Sequence, residues 1–132
     1  MSRVLAPGGH LTVLWNNRLN DESPLLAGAW GTIRRFVPGF EDHYRDNTPW
    51  DQILASTGHF TFVKIIEARH VVTMSTQRFV DLWRSHNRLN HMAGADRMTT
   101  ILDAIERQLE DERAGQVPVP YLCRSWTARR ID

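Results

Sequence analysis

Two short runs place side chains that could do chemistry beside one another. Trp15-Asn16-Asn17-Arg18 sets an indole next to two carboxamides and a guanidinium. Each amide can donate and accept, so the pair could orient a polar group of a small molecule against a wall formed by Trp15. The same two asparagines also suit a simple chain reversal, through hydrogen bonds from side chain to backbone. Trp83-Arg84-Ser85-His86 brings an indole near an imidazole. Histidine titrates near neutrality, so His86 could accept a proton from an acceptor held against Trp83. The competing reading makes Trp83 a core residue and His86 a surface or interface histidine, and it is the favoured one.

Other chemistries find no support in the residues. The six histidines (His10, His43, His59, His70, His86 and His91) show no metal-ligand spacing. His86 and His91 are five apart and fall on different faces of a helix. With no His-Glu-x-x-His and no paired cysteines, no metal site is expected. Ser85-His86 lacks the Gly-x-Ser-x-Gly elbow of a hydrolase. Cys123 is the one cysteine, so no internal disulfide forms, and its place within an alternating run reads as a buried thiol. Fifteen Arg and one Lys nearly balance 15 acids, for a net charge of +1, so no field favours nucleic acid or an anionic membrane. No signal-peptide pattern is visible and no apolar run reaches membrane-spanning length, so a reducing cytoplasm is the expected location.

The elements that must position these residues follow from periodicity and punctuation. At 132 residues, 42% of them hydrophobic, the chain suits one domain with its own core. Pro7-Gly8-Gly9 ends one element and aims the chain into an apolar strand, with Leu11, Val13, Leu14 and Trp15 apolar on both faces. Residues 16–22 read as a polar loop. Ser23 followed by Pro24 fits a helix start, and Leu26, Trp30, Ile33 and Val37 recur at helical spacing. Residues 39–47 read as a second polar loop. Thr48-Pro49 repeats the start signal for a short helix ending near Ser56, closed by Gly58.

Residues 60–74 are β-rich and read as one long strand. Ser75 caps a helix carrying Phe79, Leu82, Trp83 and His86 on one side, and Gly94 breaks it. A second helix follows with Met98, Ile101, Leu102, Ile105 and Leu109 as its stripe, closed by Gly115. Val117-Pro118-Val119-Pro120 is extended, and residues 121–129 form the last strand. Tyr121, Cys123, Ser125 and Thr127 share one of its faces; Leu122, Arg124, Trp126 and Ala128 share the other.

Arg3-Val4-Leu5-Ala6-Pro7-Gly8-Gly9 running into an apolar strand resembles class I S-adenosylmethionine (SAM)-dependent methyltransferases of the type 11-like group, just before and along their fifth strand. Ala55-Ser56-Thr57-Gly58-His59-Phe60 resembles the junction before their sixth strand. Residues 79–86 resemble a helix of one bacterial subgroup, and Val119-Pro120-Tyr121 into residues 123–128 resembles the closing strand. The resemblance covers nearly the whole chain in the right order. It implies an α/β fold: a partial Rossmann-like methyltransferase fold of about three strands, one from the parallel part and two antiparallel, packed with about four helices. The closing strand would lie beside the first strand and antiparallel to the second. All of residues 1–132 would be the C-terminal part of one methyltransferase domain, with a helical insertion over residues 75–114.

The resemblance also implies methyl transfer from the SAM sulfonium to a small-molecule O, N or C acceptor. Trp15, Asn16, Asn17, Arg18, Trp83 and His86 would form the acceptor side of the pocket. In the family a Gly-rich loop after the first strand and an acid after the second hold the cofactor. This chain has no such loop; Gly8-Gly9 precedes a strand, the wrong side for one. The chain is therefore expected to bind no cofactor alone, to be inactive alone, and to have no assignable catalytic residue. Without neighbouring strands, the first strand would be an exposed apolar edge, so a homodimer that hides it is expected. The alternative is a small stand-alone dimeric α+β module that binds a ligand or a partner.

Overall fold

The computed structural model describes residues 1–41 and 48–131. Three strands and four helices follow one another as β1 (His10–Arg18), α1 (Pro24–Phe36), α2 (Trp50–Ser56), β2 (Phe60–Ser75), α3 (Thr76–Arg84), α4 (Asn87–Asp111) and β3 (Gln116–Arg130). Short 3-10 turns lie at Ser2–Val4 and Asn20–Glu22. The sheet order is β1-β3-β2, so the last strand is central. Its pairing with β1 is antiparallel: Arg130 N–H donates to Gly9 C=O at 2.7 Å, while Leu19 N–H donates to Pro120 C=O at 2.9 Å. The Thr12 and Thr127 hydroxyls, 3.0 Å apart, fall in the same register. On the other flank Ile131 N–H donates to His59 C=O at 3.0 Å, and the His70 ring stacks on Tyr121 with centroids 5.3 Å apart. That pairing is antiparallel too.

The chain divides into two compact units. The first comprises Met1–Asn17, His43–His70 and Tyr121–Asp132. Its core gathers Leu54 of α2, Phe60 of β2 and Ala128 of β3, with Leu5, Leu11 and Val13 packed against them. Arg130 donates from its side chain to the Ser2 and Leu5 carbonyls, which ties down the N-terminal turn. The second unit comprises Arg18–Asp42 and Val71–Pro120. There α4 packs on both α1 and α3, burying Leu26, Ile33, Phe79, Trp83, Leu89, Ile101 and Ile105 completely or nearly so. Gly28 on α1 leaves room for Gln108 of α4, whose amide donates to the Leu25 carbonyl.

Several boundaries differ from the sequence expectation, each for a local reason. The first strand continues through Asn16 and Asn17 to Arg18, because pairing with β3 extends the ladder across residues expected in a loop. It is not buried on both faces. Only one of its faces is packed, against Leu54 and Phe60, so its residues alternate between exposed and half-buried, with Leu14 55% exposed. Ser23 stands at the N-cap of α1 as expected, with Pro24 in the first turn, yet its side chain makes no capping bond. The cap of α2 is Pro49 and not Thr48. Of the loop expected over residues 39–47, residues 42–47 lie outside the described residues.

In the helical insertion, Ser75 caps α3 as expected, accepting from Arg78 N–H at 3.2 Å. But α3 stops at Arg84, so His86 is not on it; His86 is the N-cap of α4. Gly94 breaks the helical run within Asn87–Asp111 as expected: its backbone is not helical, and two helices meet there at a kink. The left-handed residue after α4 is Arg113, at φ 50°, and not Gly115. Its N–H donates to Glu110 C=O, and Ala114 N–H reaches Leu109 C=O at 3.0 Å, a closing pattern that favours the left-handed turn enough to impose it on arginine.

Gly94 sits at φ 74°, ψ 166°, a region closed to residues with a Cβ. A Cβ there would touch nothing within 4 Å, so any penalty is backbone strain alone. Gly94→Ala should lower stability by about 1–3 kcal/mol in urea denaturation; an unchanged midpoint would show that the kink is not fixed by this residue.

Candidate functional site

The six residues singled out from the sequence fall into the two units, three in each. In the first unit, Trp15 on β1 meets Trp50 at the start of α2, with ring centroids 6.2 Å apart and planes tilted by 34°. Together with Leu11, Val13, Leu54 and Phe60 they line a cavity of about 540 Å³. Ser2, Thr12, Thr57 and His59 supply the polar part of its lining, and the Thr57 hydroxyl donates to Leu54 C=O at 2.8 Å. The volume suits a small molecule, and the lining is mostly apolar, as ligand cavities usually are. Strand alternation sends Asn16 to the face opposite Trp15, where it is exposed, while Asn17 shares Trp15's side and is half-buried. The two asparagines therefore do not act on one group together, and neither turns the chain.

Trp50 was not visible as a site residue in the sequence. Its signal was weak: an indole directly after Thr48-Pro49, where attention goes to the helix start.

In the second unit, the Arg18 guanidinium lies 4.0 Å from the centre of the Trp83 ring. Arg18 is only 8% exposed and Trp83 is fully buried. Trp30, Phe79 and His86 surround the same indole, with centroids 6.3, 6.4 and 6.1 Å from it, and Phe40 packs edge-on to His86 at 5.4 Å. Stacking a cation on an indole face away from water contributes about 2 kcal/mol. Trp83 Nε1 has no hydrogen-bond partner among the described residues, so its face and not its N–H carries its polar contact.

His86 has a structural task. Its Nδ1 accepts from Leu89 N–H at 3.3 Å, which caps α4 and places the ring proton on Nε2. Asn90 Nδ2 donates to the carbonyls of Arg84 and His86, closing the corner between α3 and α4. One imidazole nitrogen is thus engaged by the backbone. Among the described residues no three His, Cys, Asp or Glu side chains are placed to hold a metal ion, and no helix is long and apolar enough to cross a membrane.

In comparison with known proteins, no family model matches the chain, and no curated protein matches it significantly in sequence.

The cap at His86 has a measurable cost of removal. His86→Ala should lower stability by about 1 kcal/mol, and His86→Asn, which restores a capping acceptor, should recover part of it. Equal urea midpoints for His86→Ala and the parent would contradict the capping role.

Proposed function

We propose that this chain is the C-terminal portion of a class I SAM-dependent methyltransferase, supplying the acceptor side of the pocket and inactive by itself. The observation that carries the reading is the strand order β1-β3-β2, with the last strand antiparallel between the other two and the helical pair α3–α4 inserted before it. That order is the one the resemblance implies for the closing part of such a domain. The aromatic cleft beside Trp15 supports the acceptor-side role, since it offers an apolar wall for a small molecule.

The residues present do not fit the cofactor itself. SAM needs a close backbone cradle and an acid for its ribose hydroxyls. The cavity of the first unit has no carboxylate among its described lining residues. No Gly-rich turn follows β1, whose strand passes directly into Leu19 and the turn at Asn20–Glu22. No step of methyl transfer is therefore assigned to a residue of this chain.

The cavity also favours a second reading, a stand-alone module that binds an apolar small molecule against Trp15 and Trp50 with no transfer chemistry.

Calorimetric titration of the purified chain with S-adenosylhomocysteine separates these readings from an active enzyme. No heat of binding is expected from the chain alone. An extended reading frame that adds a Gly-rich strand–loop–helix upstream should gain micromolar binding. Micromolar binding by the chain alone would contradict the inactive-portion reading, and an upstream frame without such a segment would contradict the family.

A further inference from the structure

The two outer strands of the sheet are protected very differently. β2 sets Lys64, Glu67 and Arg69 among the exposed Val63, Ile65, Ile66 and Val71 of its middle, and such charges oppose pairing along an edge. β1 has no charged side chain anywhere from Leu11 to Asn17. Its backbone direction is fixed by β3. Gly9 C=O and Leu19 N–H both point at β3 and are separated by an even number of residues, so the odd-numbered residues between them face β3 as well. The N–H and C=O groups of Thr12, Leu14 and Asn16 therefore point outward, along the free edge. The cavity beside β1 is lined by five consecutive residues, Leu11 to Trp15, as expected where a strand presents its edge and not one face.

We infer that this edge pairs with the same edge of a second copy of the chain, antiparallel about a two-fold axis at Leu14. The inference concerns residues 1–132 by themselves: in the methyl-transfer reading an upstream strand would take this same edge, so the dimer forms only where that strand is absent. The strand is self-complementary about that residue. Leu14 meets its own mate, exchanging both backbone hydrogen bonds, and covers side chains that are 55% exposed in a single chain. Thr12 falls opposite Asn16 of the second copy, a polar pair. Val13 falls opposite Trp15, an aliphatic–aromatic pair of the kind that stabilises neighbouring strands. The absence of charge means that no like charges meet across the axis. Pairing about Leu14 closes as a dimer and leaves the charged β2 strands as the outer edges of a six-stranded sheet.

The direction of the Leu14 N–H supplies a selective test. Proline at 14 removes an outward N–H and spares the β1–β3 ladder, since proline is tolerated on an edge strand where its nitrogen faces away. By sedimentation velocity the parent chain should run as a dimer at micromolar concentration, and Leu14→Pro as a monomer with an unchanged far-ultraviolet spectrum. Leu14→Lys, which sets two ammonium groups at the axis while replacing an exposed side chain, should also give a folded monomer, and it decides the matter if the proline variant does not fold. Leu14→Cys in a Cys123→Ser background should be joined to its mate by a short bis-maleimide at concentrations where the parent is dimeric. A parent chain that stays monomeric at high micromolar concentration, a dimer that survives Leu14→Lys, or a failure of cross-linking at 14 would each overturn the inference.

Discussion

The antiparallel pairing of β3 with both of its neighbours is the constraint on which the rest depends. β3 is the last strand in sequence and the middle one in space, so neither β1 nor β2 has a partner until the end of the chain is in place. Such non-local pairing is costly in loop entropy before it is rewarded. It is rewarded here by the apolar side chains that β3 brings: Val117, Val119, Trp126 and Ala128 are all buried. The same pairing decides which backbone groups of β1 are satisfied and which face outward. It also sets alternate β1 side chains on opposite faces, which gathers Leu11, Val13 and Trp15 toward Leu54, Phe60 and Trp50 and leaves Thr12, Leu14 and Asn16 on the other side.

The two aromatic groups of the molecule have different characters. Around Trp83 everything is enclosed: a guanidinium on one face, other aromatic rings about it, and an imidazole held in place by a helix cap. The geometry describes packing more readily than turnover, because the indole is fully buried and one imidazole nitrogen is committed. Around Trp15 there is room. Two indoles tilted against each other and four aliphatic or aromatic neighbours line an open apolar cleft, which is why the acceptor-side proposal is attached there and not to His86.

The fold was readable in the sequence where one physical signal dominated. Residues 60–74 are so rich in β-branched and aromatic side chains that a long strand was the natural reading, and β2 spans Phe60–Ser75. The stripe Met98, Ile101, Leu102, Ile105 and Leu109 is buried as its spacing required. Boundaries were less legible because they depend on partners elsewhere in the chain. Asn16 and Asn17 have turn propensity, yet the β3 ladder holds them in a strand. Gly115 offered a closing glycine, but the hydrogen bonds around Leu109 and Glu110 close α4 earlier, at Arg113. Of the site, Trp15 and its apolar surroundings could be anticipated; the contribution of Trp50 could not, since it is made by a seven-residue helix whose sequence points mainly to its own start. The capping task of His86 was hidden because it requires knowing that α3 ends at Arg84.

The most direct test of the account is amide hydrogen exchange along β1, resolved residue by residue by nuclear magnetic resonance. The register with β3 predicts slow exchange at Leu11, Val13 and Trp15 at every protein concentration. It predicts exchange at Thr12, Leu14 and Asn16 that is fast in dilute solution and slows as copies of the chain associate. Equal exchange along the strand, or protection of the even-numbered amides in place of the odd, would contradict the register and with it the outward edge that the account assigns to β1.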